Sequence, residues 1–432
     1  MSRKIAIVGA GAVGGYVGAH MVQAGEDVTF IDPWPAHVEH MRKHGLRVTH
    51  AMDVAEFCLA VRALHVTDAQ QLAKEKPVDI AFVCMKSYDT AWATMLIGQY
   101  LAPDGYVVSL QNCMNEETIA GIVGWGKTLG CIASSITVNL PEPGLIHRGA
   151  GKGGRAHTVF RAGEVHGRIT KRAEEVCRLV AYADSAKVTG NLWGERWSKL
   201  VTNAMANGIA ACTGLSSGEM LHNDPIRHFS TRVGSEAIRV GQALGYQLEE
   251  IYHLPPDTIA RAGEGDEAAM RACDEERFRQ GKRTAAGQHP SMGQDMQKGR
   301  RTEIEFLNGL VVREGEKVGL TCRANDVLTD TTAHYRAPTE LSRGLSAQRG
   351  PDFKAECPVG PHDGLMGRNS RAEIRPASPS MKGAGALHCL DLKWKQRIKV
   401  TCPHEMIDIE SVSGPNRDFR RRQRKGEIPG CR

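Results

Sequence analysis

A glycine-rich segment near the N-terminus has the composition and position of a phosphate-binding turn. The residues GAGAVG follow the apolar run KIAIV directly and precede a helical pattern. Glycines at these positions permit a tight turn and a close approach of the backbone to a diphosphate, and the amides that open the helix bind its charge. The segment therefore predicts a dinucleotide site. Its six residues are Gly9, Ala10, Gly11, Ala12, Val13 and Gly14.

Asp32 stands at the end of a second predicted strand, eighteen residues after Gly14. A carboxylate at this position accepts hydrogen bonds from the ribose hydroxyls of NAD(H) and repels the 2′-phosphate of NADP(H). The residues that follow, Pro33, Trp34 and Pro35, offer no cation for such a phosphate. The sequence thus favours NADH, while a structural role for Asp32, capping the turn before a helix at Pro35, stays open.

A second group of polar residues is spaced along one predicted helix. Lys199, Asn203 and Asn207 are separated by four residues each, so they fall within an arc of roughly 80° on an α-helix. Apolar side chains define the neighbouring face, which indicates that the polar stripe borders a packed surface and lines a cleft. A solvated polar face is the alternative interpretation.

Lysine in such a cleft suits the reduction of a carbonyl group. Hydride transfer to a ketone places negative charge on its oxygen, and a positioned ammonium group both stabilises that charge and donates the proton. Partial burial would lower the pKa of Lys199 towards neutral pH. The stripe therefore predicts a proton donor with two amides beside it.

The elements that must position these residues change in character along the chain. Residues 3–140 alternate strands and helices, which predicts a parallel sheet covered by helices on both faces. Further strands are predicted at 129–138 and 157–160, with a helix over 164–183. Helices follow at 192–211, 226–244, 256–261, 267–280 and 302–318. We predict an α/β fold with three parts: a Rossmann-type doubly wound parallel sheet over 1–188, an all-helical domain over 189–336 that carries substrate and catalytic residues, and a disordered tail over 337–432.

Composition and charge exclude several classes of protein. Hydrophobic residues make up 41% and charged residues 24% of the 432 residues, which are ordinary globular values. The net charge of +6 is concentrated in residues 337–432, whose 18 basic and 11 acidic residues give +7 and leave −1 for the rest. The main body has no basic signature for nucleic acid. No apolar run reaches the length of a membrane span, and the scattered cysteines are typical of a cytoplasmic protein.

Four further motifs follow one another along the chain: CMKSYDT after one strand, SLQNCMNEE after the next, GERWSKLVTNAMANG at the start of the helical half, and RRTEIEFLNGLVV near its end. Their residues and their order resemble those of the ketopantoate reductase (2-dehydropantoate 2-reductase) family. Together they span roughly residues 3–330. The resemblance implies an NAD(P)H-dependent reduction of a 2-oxo acid to a 2-hydroxy acid, with 2-dehydropantoate to pantoate, in pantothenate biosynthesis, as the first expectation.

The resemblance also assigns roles to individual residues. Lys199 and Glu303 take the catalytic positions, the first as proton donor and the second as the acid that completes the site. Substrate-binding positions are matched by Asn203, Asn207 and Ser291, and by Ser217 where some members have asparagine. Lys86 and Asn112 match positions along the cofactor. For Glu303 the alternative is an exposed helix residue in a charged cluster that contains Glu305.

Three departures from the family pattern concern the cofactor and the substrate. The family usually binds NADPH through a basic residue after the second strand, where this chain has Asp32 and Pro33. The family's HNG-like triplet reads Gln111-Asn112-Cys113, and Ser217 replaces asparagine. The chain therefore favours NADH, and a related hydroxy-acid dehydrogenase with a different substrate stays open beside 2-dehydropantoate reduction.

Partners and alternative functions complete the expectations. We expect a small-molecule 2-oxo acid as partner, no nucleic acid or membrane, no metal, and either a homodimer through the helical domain or a monomer. His388, Cys389, Cys402 and His404 do not have zinc-finger spacing, and the basic run at 420–425 is typical of a solvated tail. A non-catalytic dinucleotide sensor is the alternative from another class, although such a protein would not need a proton donor.

Overall fold

The computed structural model describes residues 3–334 apart from four gaps, at 52–54, 135, 155–156 and 282–287. The strands are β1 (Lys4–Val8), β2 (Asp27–Asp32), β3 (Leu46–His50), β4 (Phe57–Leu59), β5 (Arg62–His65), β6 (Val78–Val83), β7 (Leu101–Ser109), β8 (Thr128–Ala133), β9 (Val138–Glu142), β10 (Leu145–Arg148), β11 (Phe160–Glu164) and β12 (Ala186–Val188).

The α-helices divide between the two halves of the described chain. In the first half they are α1 (Ala12–Gln23), α2 (Pro35–His44), α3 (Thr90–Gly98), α4 (Glu116–Val123) and α5 (Lys171–Ala181). In the second half they are α6 (Leu192–Thr213), α7 (Ser217–Leu221), α8 (Asp224–Ala243), α9 (Pro256–Gly263), α10 (Glu267–Gly281), α11 (Ser291–Gln297), α12 (Asn308–Lys317) and α13 (Arg323–His334). Short 3₁₀ turns occur at Val66–Lys74, Ser87–Asp89, Trp125–Lys127 and Ile304–Phe306.

The first half is built on an eight-stranded sheet in the order β12-β11-β8-β7-β6-β1-β2-β5. All neighbouring strands are parallel except β8 and β11. β1 and β6 are completely buried, as expected for central strands with helices on both faces. The chain moves outward in opposite directions from these two strands, so their carboxyl ends form the switch point where such sheets bind ligands. The predicted fold class, including the helical second half, is confirmed.

A second, four-stranded sheet in the order β4-β3-β10-β9 was not predicted. It packs on α1. Its strands have only three to five residues each, and β3 pairs with β10 from about a hundred residues later. The predicted strand at 129–138 is therefore wrong as one element, because β8 ends at Ala133 and Val138 begins β9 in the other sheet.

Three other predicted boundaries shift in the structure. The strand predicted at 157–160 begins at Phe160, and the helix predicted from 164 begins at Lys171, where the Thr170 side chain accepts a hydrogen bond from Ala173 N–H. The helix predicted over 302–318 is divided into a 3₁₀ turn and α12, with Leu307 in a non-helical conformation between them. The predicted tail over 337–432 lies outside the described residues.

Candidate active site

The glycine turn lies at the switch point, between the carboxyl ends of β1 and β6. Gly9 has φ +99°, which favours glycine, and a Cβ on Gly14 would lie 2.1 Å from the Gly9 carbonyl oxygen. A Cβ on Gly11 would instead meet no heavy atom within 4 Å. Gly11 precedes α1, whose first amides have no intrahelical acceptors and no side-chain cap. This open, amide-lined cradle fits the diphosphate of a dinucleotide.

Asp32 ends β2 beside this turn and is 7% exposed. Its two carboxylate oxygens accept hydrogen bonds from backbone amides, Oδ2 from Ala10 at 2.8 Å and Oδ1 from Trp34 at 2.9 Å. Burial raises the pKa of Asp32, and the two amide donors oppose that rise. The bond from Trp34 caps the turn before α2, so Asp32 has the structural role that was left open as an alternative.

Lys199 lies in the second turn of α6 and is partly buried. Burial and, next, the guanidinium of Arg196 lower the pKa of Lys199 to about 8, against weaker opposing influences that include Glu303. The charge of Lys199 also acts on the thiols of Cys113, in the loop after β7, and of Cys131, within β8. The ammonium group therefore lies close enough to these two thiols for its charge to influence them.

Arg196 fixes α6 against the sheet, one turn before Lys199. Its buried guanidinium donates to the backbone oxygens of Gln111 (2.7 Å) and Ser109 (3.2 Å), and it forms an ion pair with the buried carboxylate of Glu116. A buried pair of this kind needs the further hydrogen bonds that the two carbonyls supply. These contacts hold the cation that lowers the pKa of Lys199.

Glu303 is buried, 2% exposed, and lies between the two halves of the chain. Its Oε1 accepts from the amide of Ser87 at 2.9 Å and from its hydroxyl at 2.8 Å, and its Oε2 accepts from Lys86 Nζ at 3.1 Å. Glu305 differs, because it is more exposed and pairs with Arg301 at 3.1 Å. The alternative of an exposed Glu303 is therefore wrong.

Lys86 is held between two carboxylates. Its Nζ donates to Asp295 Oδ2 at 2.6 Å as well as to Glu303. Burial alone would lower the pKa of Lys86, but the charges and hydrogen bonds of Glu303 and Asp295 raise it above its ordinary value. Lys86 thus stays protonated at a pH where Lys199 loses its proton.

The predicted polar residues of α6 and α11 meet at one point. The Oδ1 of buried Asn207 accepts from Ser291 Oγ and from the Met292 amide, both at 3.1 Å. With its oxygen engaged twice, the Asn207 amide is fixed so that its NH₂ group is left to donate elsewhere. Asn203, one turn before Asn207, is partly buried on the same helix.

Two predicted positions have backbone contacts. The Asn112 carbonyl accepts from the Asn115 side chain at 2.7 Å, directly after β7. Ser217, the first residue of α7, donates its amide to the carbonyl of Gln288, which lies three residues before α11, at 2.9 Å. Cys113, which follows Asn112, is buried with φ +63°, in the left-handed region that favours glycine.

Two residues of this site, Asp295 and Arg196, were not predicted from the sequence. Asp295 lies on α11 one turn after Ser291, on the same helix face, and this spacing was the available signal. Arg196 stands one turn before Lys199 within a recognised motif, but its acidic partner lies 80 residues earlier. Within the described residues no group of three or more side chains could hold a metal ion, and the tail residues considered for zinc lie outside them.

A Rossmann-type sheet with an open glycine turn, joined to a helical domain that presents a lysine of lowered pKa, defines a class: two-domain, dinucleotide-dependent oxidoreductases. The chain belongs to the ketopantoate reductase PanE/ApbA family, because the family's sequence model matches residues 5–156 and the model of its C-terminal domain matches residues 191–336. The resemblance stated from the motifs is confirmed, and the chain is a reductase of this family.

Individual relatives agree with this assignment. The 2-dehydropantoate 2-reductase of Archaeoglobus fulgidus is 29% identical over 331 residues, which are 76% of this chain and 95% of the relative. The 2-dehydropantoate 2-reductase of Pyrococcus horikoshii is 27% identical, and the match covers 75% of this chain and 95% of that relative. Among solved structures, a PanE/ApbA family ketopantoate reductase from Ralstonia eutropha is 26% identical, with a TM-score of 0.63, covering 77% of this chain and 98% of that one.

D-mandelate dehydrogenase, solved with NADH and anilino(oxo)acetate, is also similar in structure. It is 22% identical with a TM-score of 0.64, and the match covers 77% of this chain and 98% of that one. At this identity the likeness is one of fold. Within the described residues, no helix is both long and apolar enough to cross a membrane.

Proposed function

We propose that this protein reduces a 2-oxo acid to a 2-hydroxy acid with NAD(P)H, and that its substrate is 2-dehydropantoate, reduced to pantoate in pantothenate biosynthesis. The observation that carries the proposal is Lys199, partly buried at the domain boundary with a pKa lowered to about 8. The relatives named 2-dehydropantoate 2-reductase support the choice of substrate.

The proposed chemistry assigns the proton to Lys199. NAD(P)H, held at the glycine turn, supplies the hydride when bound. Lys199 stabilises the negative charge that develops on the carbonyl oxygen and donates its proton to that oxygen. A pKa near 8 keeps most of the donor protonated at neutral pH and makes the proton easier to give than an ordinary lysine would.

The residues around Lys199 take positioning and binding roles in this proposal. Glu303, fixed by Ser87 and Lys86, is the acid that orients the substrate beside Lys199. The NH₂ group of Asn207 and the amide of Asn203 donate to the substrate oxygens, since the Asn207 oxygen is already engaged by Ser291 and Met292. Ser291 lies at the carboxylate end of the substrate. Lys86 and Asn112 lie along the cofactor, and Ser217 borders the substrate end.

The activity test uses the purified full-length chain with NADH or NADPH and 2-dehydropantoate. We expect oxidation of the cofactor, and we expect Lys199→Ala to lower kcat by about two to four orders of magnitude while cofactor binding is retained. Lys171→Ala, at an exposed lysine that opens α5, is the matched control and should leave kcat unchanged. A Lys199→Ala variant as active as the parent would remove the basis of the proposal.

A different 2-oxo acid is the second candidate substrate. It is favoured by Cys113, whose buried side chain and left-handed backbone stand beside Lys199 where the family triplet ends in glycine. A panel of 2-oxo acids of different side-chain size distinguishes the two candidates by kcat/KM. Tight NADH binding without turnover on any member of the panel would instead favour a dinucleotide sensor.

For the cofactor we propose a preference for NADH. Asp32 is buried beside the glycine turn, and Pro33, Trp34 and Pro35 provide no cation for a 2′-phosphate. Fluorescence titration of the protein with NADH and with NADPH compares the two dissociation constants. Tighter binding of NADPH would contradict the preference.

Assembly and location complete the proposal. We propose a homodimer through the helical domain, as the family resemblance suggests, and sedimentation equilibrium distinguishes it from a monomer. A cytoplasmic location agrees with the free thiols of all eight cysteines in the described residues.

A further inference from the structure

His37 connects three parts of the structure around the glycine turn and has no role in the chemistry described so far. It lies in the first turn of α2, and its side chain is fully buried. Its Nε2 lies 2.9 Å from the Ala10 carbonyl oxygen, inside the glycine turn, and its Nδ1 lies 2.9 Å from the amide nitrogen of Gly144. The ring also stacks on Trp34, with centroids 5.6 Å apart.

These contacts determine the tautomer of the imidazole. The Gly144 amide can only donate, so Nδ1 must be the acceptor and carries no proton. The Ala10 carbonyl can only accept, so Nε2 carries the proton and donates it. His37 is therefore neutral, with its single N–H directed at the glycine turn.

Ala10 is held on both sides by side chains. Its amide donates to Asp32 Oδ2 at 2.8 Å, and its carbonyl accepts from His37. Because a trans peptide is planar, the Ala10 carbonyl and the Gly11 N–H point in opposite directions. Holding the carbonyl against the buried His37 therefore directs the Gly11 N–H away from His37. Gly11 itself has open space beside it, since a Cβ there would meet nothing within 4 Å.

We infer that His37 is a positioning residue for the dinucleotide: its Nε2–H fixes the Ala10 carbonyl and thereby presents the Gly11 amide to the diphosphate. The inference rests on the proposed use of a dinucleotide at this turn. His37 does not touch the cofactor and takes no part in proton transfer, so it governs cofactor affinity and leaves the rate of the bound complex unchanged.

Two substitutions separate the two hydrogen bonds of the ring. His37→Gln can place an N–H near the position of Nε2 and keeps the bond to Ala10, whereas His37→Asn can place an oxygen near Nδ1 and keeps the bond to Gly144. Each variant loses one buried hydrogen bond, so each serves as the structural control for the other. The measurements are NADH titration of the full-length chain and steady-state kinetics with 2-dehydropantoate.

For His37→Asn we expect the Kd and KM for NADH to rise about tenfold with kcat within about twofold of the parent, as loss of one such hydrogen bond allows. For His37→Gln we expect both constants to stay within about threefold. Equal weakening in the two variants, or an Asn variant that binds NADH like the parent, overturns the inference. A parent that binds neither NADH nor NADPH would instead refute the proposed function.

A measurement on the unmodified protein keeps the inference testable if the variants do not fold. The ¹⁵N NMR signals of the His37 ring should show a protonated Nε2 and an unprotonated Nδ1, and the Nε2 signal should shift when NADH is added. A proton on Nδ1, or a His37 ring whose signals do not respond to saturating NADH, would overturn the assignment.

Discussion

Lys86 and Lys199 belong to the same site, yet their ammonium groups have opposite surroundings. Lys86 has two carboxylates within hydrogen-bonding distance, and they raise its pKa despite burial. The pKa of Lys199 is lowered to about 8, because its side chain is shielded from water and because the Arg196 guanidinium lies nearby. A group that must release a proton near neutral pH benefits from the second environment. The contrast supports Lys199 as the donor and Lys86 as a fixed cation.

The pH dependence of the activity follows from this difference. The proposed donor is active when it is protonated. The titration of Lys199 should therefore leave kcat/KM constant below pH 7 and lower it as the pH rises through about 8. Above that pH the decline should approach about tenfold per pH unit, because the protonated fraction falls by that factor. A pH profile of 2-dehydropantoate reduction measures it, and constant kcat/KM up to pH 10 would contradict a donor with this pKa.

Glu303 and Glu305 provide a matched pair two residues apart. Glu303→Gln removes a buried charge that accepts from Lys86 and Ser87, so we expect kcat/KM to fall about 10- to 100-fold. Glu305→Gln removes a charge from a more exposed ion pair and should change kcat/KM less than about twofold. The kinetics of the two purified variants give the comparison. Equal activities would show that burial of Glu303 has no catalytic consequence.

Spacing along a helix made part of the site predictable at this scale. Lys199 and Asn207 were identified because residues four apart share a helix face, and that relation is local. Asp295 was missed because its partner, Lys86, is 209 residues away in the sequence, and the spacing from Ser291 does not by itself indicate that partner. Partners joined only by tertiary packing leave no signal in the spacing of residues.

Among the elements, the glycine turn has space for a larger residue at Gly11 in the folded protein, but the same space is the one proposed for the ligand. Gly11 has φ −63° and open space where a Cβ would be, so Gly11→Ala should fold with the stability of the parent. The added methyl group would occupy the space proposed for the diphosphate, and we expect the Kd for NADH to rise at least about tenfold.

The control for this substitution is Gly121→Ala on α4, where a Cβ also meets nothing within 4 Å. It should leave both stability and NADH affinity at or above those of the parent, since alanine favours a helix. Thermal unfolding and fluorescence titration measure the two properties. Parent-like NADH affinity in Gly11→Ala would show that the cofactor lies elsewhere.

The periodic elements were predictable and the irregular ones were not. β1, β2 and β6 are buried apolar runs flanked by helices, a pattern typical of parallel sheets. β4 has three residues and β10 four, too few to establish an alternation of polar and apolar side chains.

At the scale of the whole molecule, the hairpin β9–β10 joins the two domains. Lys298, after α11, donates to Asn139 of β9 at 2.7 Å, and Gln288 donates to Thr137 at 3.1 Å. The turn of the same hairpin contacts His37 through Gly144. The small sheet thus links the cofactor side to the helix that carries Ser291 and Asp295.

Removal of residues 337–432 tests how much of the chain the activity needs. The contacts described around the site lie within residues 3–334, and the family match ends at residue 336. We therefore expect a chain of residues 1–336 to keep kcat and KM within about twofold of the full-length protein at the same ionic strength. A tenfold loss, measured in parallel assays, would assign the basic tail a part in catalysis or binding.

Asp32 imposes a constraint on redesign of coenzyme choice. Exchanging this aspartate for a neutral or basic residue is the obvious route to an NADPH-utilising variant, but the same carboxylate anchors the amides of Ala10 and Trp34. An engineer who replaces it alters the anchoring loop together with the selectivity. Adding a cation at a neighbouring surface position, with Asp32 left intact, would change the coenzyme selectivity and keep the anchored conformation of the loop.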